Sequence, residues 1–231
     1  MRISVVTAFP DLLRGPLSES ILRRAEDKGI VHFDIYDLRN FTSDKHRQVD
    51  DYPYGGGPGM ILKAEPFFLA VQAIHEANGG SVSKVILLSP QGKQYKQATA
   101  KKLSVEKHLI FLCGHYKGVD ERVRQYLVTD EISIGDYILT GGELAAAVVI
   151  DSIVRLMPEA IGDIDSALSD SFENNLLDCP HYTRPEEYSG MKVPEILLSG
   201  NHAKIDEWRI EQSARRTQER RQDLWKQRYS V

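Results

Sequence analysis

Three β-type runs in this chain stop at glycine-punctuated strings, and that pattern constrains the fold more than any other feature. Val85–Leu88 leads into Ser89-Pro90-Gln91-Gly92, and His108–Cys113 into Gly114-His115-Tyr116-Lys117-Gly118. Val128–Ile134 leads into Gly135 and then Gly141-Gly142. Two further runs, Ile3–Val6 and Phe33–Tyr36, read as strands, and helical patterns over Leu17–Lys28, Pro66–Ala77, Gln94–Leu103 and Val119–Leu127 separate the set. This alternation predicts an α/β fold, a mostly parallel sheet with helices on both faces. Such sheets bind ligands beyond the carboxyl ends of their strands, where all three glycine breaks would converge. Taken singly, each glycine also reads as an ordinary turn. None of the strings matches a dinucleotide fingerprint or a phosphate loop, so a backbone-lined pocket for an adenine ring and a sugar is the better expectation.

The segment after Gly142 is apolar nearly all round from Leu144 to Leu156. A helix without a wet face is buried on all sides or lies in a subunit interface, and the second reading predicts a two-fold homodimer. Met157–Asp178 has little regular pattern, and residues 161–180 carry five acids and no Lys or Arg. An N-cap candidate at Asn201 then opens a helix through Trp208 to about Ala214, in a mildly basic tail. The expected organisation is a large domain over 1–160, a flexible acidic linker over 161–180, and a small, mainly helical C-terminal domain over 181–231.

Composition bounds the function classes. The chain has 231 residues, 42% hydrophobic and 27% charged, with a net charge of −4; a packed globular core is expected. No run approaches the roughly 20 apolar residues of a membrane span, and the N-terminal apolar run is too short for a signal-peptide core. Cys113 and Cys179 form neither a disulfide framework nor a metal-ligand spacing. A cytoplasmic protein without a membrane partner fits these features.

Several other positions carry a chemical reading beside a plain one. Tyr52-Pro53-Tyr54-Gly55-Gly56-Gly57-Pro58-Gly59-Met60 is either a surface loop or a bare backbone surface for a flat base. Neighbouring Asp50 and Asp51 argue against a phosphate cradle there. Asp170, between serines, reads alone as a turn or cap residue. Arg155 reads as a cation complementing the end of the apolar helix. Asp178-Cys179-Pro180-His181-Tyr182-Thr183-Arg184-Pro185 reads as an extended connector, and its Cys and His lack the second pair that a zinc site needs.

In order along nearly the whole chain, these strings resemble the bacterial tRNA (guanine-N1)-methyltransferase family, within the knotted SPOUT class of methyltransferases. The resemblance rests on Val49-Asp50-Asp51 with Tyr54–Met60, Ser89–Gly92, Gly118–Arg122, Ser133–Leu144, Asp170-Ser171-Phe172, Leu177–Pro185 and Leu198–His202. It implies transfer of a methyl group from S-adenosylmethionine to N1 of guanine 37, next to the anticodon of tRNA. It further implies a C-terminal trefoil knot through the cofactor loops of the sheet domain, and a homodimer whose active sites are shared between subunits. The implied cofactor contacts are Leu87, Leu88, Ser89, Pro90, Gln91, Gly114, Tyr116, Ile134, Gly135, Asp136, Tyr137, Ile138, Leu139, Gly141 and Gly142. Asp170 is the implied general base and Arg155 the group stabilising charge on guanine O6. Contacts to the anticodon arm are implied at Gly57, Pro58, Gly59, His181, Arg184, Arg215, Arg216 and Arg220. The resemblance also implies Mg²⁺, for which no ligand cluster stands out.

The chain departs from the family string Cys-Gly-Arg-Tyr-Glu-Gly at His115 and Lys117, and has Ala145 where Pro often follows Gly-Gly-Glu-Leu. Loss of an acid near a cationic sulfonium is expected to weaken cofactor binding. Two other readings are a knotted methyltransferase acting on a different base or on ribose, and a non-catalytic RNA- or nucleoside-binding protein.

Overall fold

The structure, a computed structural model, describes residues 1–80, 83–161, 170–172 and 175–229. The chain divides into two compact units, Met1–Gly162 and Asp163–Val231. Part of the stretch expected as a linker, residues 162–169, 173 and 174, lies outside the described residues.

The first unit is built on five parallel strands, β1 (Arg2–Thr7), β2 (His32–Asp37), β5 (Lys84–Gln94), β6 (His108–Cys113) and β7 (Asp130–Ser133), in the order β2-β1-β6-β5-β7. A short antiparallel pair, β3 (Asp50–Asp51) and β4 (Ile61–Leu62), flanks it in sequence. Every residue of β6 is buried, as a strand covered on both faces requires. Its side chains alternate between two cores. Leu109, Phe111 and Cys113 join one, and Ile110 and Leu112 join the other.

Helices α1 (Asp11–Leu17), α2 (Ser20–Asp27), α4 (Gln97–Leu103) and α6 (Glu143–Val154) contribute to the first core through Leu13, Leu22, Leu103 and Val149. Helices α3 (Ala64–Ala77) and α5 (Glu121–Tyr126) close the second through Phe67, Ile74 and Val123. Each such large apolar side chain contributes about 1.5–3 kcal/mol by leaving water. The expected parallel sheet with helices on both faces is therefore present.

Two local expectations change, and of the two readings of the apolar helix, burial on all sides is set aside. The helix expected over Leu17–Lys28 is α2, which starts only at Ser20 (φ +54°), while Leu17 ends the separate helix α1. Strand β5 does not end at Leu88; it bulges and resumes pairing with β7 at Lys93↔Ile132 and Gln94↔Ser133. Helix α6 is not enclosed on every side: Ala146, Val149, Ile150, Ile153 and Val154 are buried, whereas Leu144 and Val148 are 52% and 53% exposed.

In the second unit, a hairpin of β8 (Glu187–Tyr188) and β9 (Met191–Lys192) precedes α7 (Glu195–Leu198), α8 (His202–Arg220) and α9 (Gln222–Tyr229). Asn201 caps α8 as expected, its side chain accepting from Lys204 N at 3.3 Å. The helix continues past Ala214 to Arg220. Among the described residues, no helix is long and apolar enough to cross a membrane.

Candidate functional site

A cavity of about 610 Å³ opens where the carboxyl ends of β6 and β7 meet the bulge of β5, within the range that small-molecule sites occupy. It is lined by Leu87–Gln91 from β5, Gly114–Val119 after β6, and Ile132–Gly135 with Tyr137–Gly142 after β7. The three glycine strings singled out in the sequence thus meet around one space. Of the fifteen expected cofactor contacts, only the exposed Asp136 is not part of this lining.

Close backbone approaches explain why glycine occupies the strand ends. A Cβ at Gly142 would lie 2.9 Å from Cys113 Cα, and Gly142 N donates to Gly114 O at 2.8 Å. A Cβ at Gly92 would overlap the backbone of Ile132, so the β5 bulge needs glycine to lie against β7. Tyr116 adopts φ +58° on the cavity wall, a left-handed conformation that a bulky residue holds only where its surroundings fix it. Tyr116, Tyr137 and Ile138 are 48%, 55% and 80% exposed, which leaves apolar surface facing open space.

Behind the wall sits a buried carboxylate. Glu143, the first residue of α6, is 1% exposed. Its Oε1 accepts from Thr7 Oγ1 at 2.6 Å, and its Oε2 lies 3.8 Å from His115 Nδ1. Thr7 Oγ1 also accepts from Phe9 N at 2.9 Å, and the Phe9 ring packs on His115 at a centroid distance of 4.3 Å. Burial, then the charge of Glu143, push the Cys113 thiol well above its ordinary pKa, so it stays protonated and serves as a small packing group.

The second glycine cluster reaches the same region. Lys117 N donates to Met60 O at 3.0 Å, and Leu62 N to Gly118 O at 3.0 Å. A Cβ at Gly59 would come within 2.8 Å of Lys117 Cγ, and Gly59 itself has φ +94°. The loop holding Gly57, Pro58 and Gly59 is exposed, and it borders the cavity turn through Lys117. Sequence spacing gives no hint of this meeting, since the bridge between Leu62 and Val119 brings residues 60 and 117 together.

His115, Lys117 and Thr140, which lie in the strings expected around the pocket, also line it, as do Arg124 and Ser133, which the expected contacts do not include. Lys117 and His115 stood inside a recognised string, which was a usable signal. Arg124 comes from α5, and nothing in its neighbourhood marks it.

Arg155 caps the C-terminal end of α6 and is partly buried. In the second unit, Asp170 is partly buried at the start of a short folded segment. Phe172 N donates to Leu176 O at 2.8 Å, and Asp178 N to Ser171 Oγ at 2.9 Å. Leu177 N donates at 2.8 Å to Thr217 Oγ1, a fully buried group on α8. Arg216 lies beside the same segment, 3.5 Å from Asp178 O, and Arg221 stands over the Phe172 ring. Arg215 pairs with Glu219 at 2.9 Å, while Arg184 and Arg220 are exposed.

His181 Nε2 sits 2.7 Å from Asp178 Oδ2. Burial opposes ionisation of Asp178, but hydrogen bonds from His181 and Cys179 N outweigh it and hold the carboxyl below its usual pKa. Among the described residues, Asp178, Cys179 and His181 bring potential ligand atoms within 4.8 Å of one another.

The chain matches the family model described as tRNA (Guanine-1)-methyltransferase TrmD over residues 1–227. It is 59% identical over 226 residues to a tRNA (guanine-N(1)-)-methyltransferase of Shouchella clausii, covering 98% of this chain and 92% of that protein. An Anoxybacillus flavithermus protein of the same name is 56% identical over 224 residues, covering 97% and 91%. One from Listeria welshimeri is 53% identical over 226 residues, covering 98% and 92%. A fold, a cavity at three glycine-rich strand ends and a match running almost end to end place this chain in the tRNA (guanine-1)-methyltransferase family.

Proposed function

We propose that this chain transfers a methyl group from S-adenosylmethionine to N1 of guanine 37 of tRNA, next to the anticodon. The observation that carries the reading is the cavity between the bulge of β5 and the ends of β6 and β7, in a chain of this family. The lining suits the cofactor. Backbone at Leu87–Gln91, Gly114 and Gly141–Gly142 brings the chain close to the space for adenine and ribose, and Tyr116, Ile134, Gly135, Tyr137, Ile138 and Leu139 offer flat or apolar surface. The cofactor supplies an electrophilic methyl group on a sulfonium.

The protein's tasks are orientation and proton transfer. Guanine N1 carries a proton at neutral pH, and Asp170 is assigned to remove it as general base. Arg155 is assigned to the negative charge that develops on O6. Alignment of base and methyl donor then contributes much of the rate. Gly57, Pro58 and Gly59 are proposed to lie against the target base. His181, Arg184, Arg215, Arg216 and Arg220 are proposed to meet the anticodon arm, where phosphate contacts position rather than specify.

The reading includes a homodimer, for which the exposed Leu144 and Val148 of the otherwise apolar α6 are the supporting feature. It includes a trefoil knot through the cofactor loops, which rests on the family resemblance. It divides the chain into a methyltransferase domain over 1–160, a linker over 161–180 and a tRNA-binding domain over 181–231. Mg²⁺ belongs to the reading but is not assigned to Asp178, Cys179 and His181, since thiol and imidazole suit a softer metal.

The test is incubation with labelled S-adenosylmethionine and an unmodified tRNA transcript, followed by digestion to nucleosides. Label in 1-methylguanosine is the expected result. Label in another nucleoside, or none in tRNA, would overturn the reading.

A further inference from the structure

We infer that Lys117 is a binding residue on the cavity wall, and that its ammonium anchors the carboxylate of the cofactor's amino-acid end. The inference deepens the proposed cofactor reading of the cavity and rests on it.

Lys117 lies in the turn after β6 and is one of the two positions at which the chain departs from the family string. The turn is held from both sides. Gly118 N donates to His115 O at 2.9 Å, Lys117 N to Met60 O at 3.0 Å, and Leu62 N to Gly118 O at 3.0 Å. The Lys117 stem is placed as well. A Cβ at Gly59 would lie 2.8 Å from its Cγ, 3.6 Å from its Cδ and 3.3 Å from its Cε. A lysine stem laid along such bare backbone keeps its charged head in water. Less freedom is then lost when the ammonium takes a partner.

The charges around the cavity leave that partner to a ligand. Among the described residues, no Asp or Glu lines the cavity, whereas Lys117 and Arg124 do. Arg124 is engaged elsewhere, its Nε 3.0 Å from Glu131 and its Nη1 2.5 Å from Glu121. Glu143 stays behind the wall, 1% exposed, where it accepts from Thr7 at 2.6 Å. Lys117 has no ion pair with any described residue.

A cation on a wall without acids attracts an anion. S-adenosylmethionine carries one anionic group, the carboxylate of its amino-acid end. Its adenine needs flat or apolar contact, which Tyr137, Ile138 and Leu139 offer after β7. The charged end then falls to the turn after β6, where the cation stands. An ammonium with three donors suits a carboxylate there. Because Lys117 belongs to the cavity lining, this carboxylate is favoured over a phosphate of the bound RNA.

The test compares S-adenosylhomocysteine with its decarboxylated analogue, which keeps the amine and the adenosine. Affinities of both are measured by calorimetry for the full-length wild type, Lys117→Met and Lys117→Arg, with tRNA affinity measured alongside. The methionine variant preserves the stem and removes the charge. It is expected to bind S-adenosylhomocysteine roughly tenfold more weakly, the low end for a hydrogen bond to a charged group, and the analogue as the wild type does. Lys117→Arg should retain most of the affinity. Equal weakening of both ligands in Lys117→Met would overturn the carboxylate assignment and point to the shape of the wall. Unchanged S-adenosylhomocysteine affinity with weaker tRNA binding would overturn it in favour of a phosphate contact. No binding of either ligand by the wild type would overturn the cofactor reading and the assignment together.

Discussion

The backbone N–H of Gly142 donates to the carbonyl of Gly114 at 2.8 Å, so the loop after β7 is hydrogen-bonded to the loop after β6. This bond closes one wall of the cavity and leaves no room for a side chain at Gly142. Gly142 has φ −81°, an ordinary value, so crowding rather than backbone conformation accounts for its lack of a Cβ.

Gly142→Ala therefore places a methyl against the Cα of Cys113, on backbone that cannot step aside cheaply. The expected cost is about 1–3 kcal/mol of stability, together with at least tenfold weaker S-adenosylmethionine binding. Thermal unfolding and calorimetry check the two effects. An alanine variant with unchanged affinity would show that the wall tolerates displacement.

Asp170→Asn keeps shape and removes basicity. Turnover should fall by about 10²–10⁴-fold, the usual contribution of a positioned base, while cofactor affinity stays at the wild-type level. Arg155→Ala should lower turnover by about 10²–10³-fold, as loss of one charge-stabilising group does. Single-turnover kinetics beside binding measurements separate these effects from loss of cofactor.

Thr217 anchors the segment after Asp170. Thr217→Val leaves Leu177 N without its acceptor, and an unsatisfied buried donor costs about 1–3 kcal/mol. Turnover is expected to fall with cofactor affinity unchanged, and Thr217→Ser, which retains the hydroxyl, should restore most of it. Loss in Thr217→Ser with none in Thr217→Val would point to the methyl group instead.

The sheet and the three cavity loops were legible because each rests on local signals, a short β-type run ended by glycine. What could not be read depends on partners far along the chain. The continuation of β5 past Leu88 comes from its second pairing, with Ile132 and Ser133. The contact of Lys117 with Gly59 and Met60 comes from the bridge between Leu62 and Val119. The carboxylate of Glu143 could be seen in the string Gly141-Gly142-Glu143, but its burial beside Thr7 required the β1–β6 pairing to be known. The apolar pattern of α6 announced a covered helix, yet Leu144 and Val148 remain open in the single chain.

Acid should weaken the first unit through His108. Burial, then the charges of Arg2 and His75, hold its pKa below the ordinary histidine value, between Ser4 at 3.0 Å and Ser83 at 2.8 Å. The unfolded chain then binds the proton more readily, so this contribution is present above the ordinary histidine pKa and is lost as pH falls through the lowered one. Urea unfolding of wild type and His108→Gln at pH 7.5 and 5 (about one unit or more either side of the ordinary value) should show a smaller acid loss in the variant.

The central claim is that one guanine edge is the acceptor of the methyl group. Two unmodified transcripts differing only at position 37, guanine or adenine, are offered under single-turnover conditions with labelled S-adenosylmethionine. The account expects nearly one methyl per molecule on the guanine transcript and none above background on the adenine one. Comparable labelling of both would contradict it.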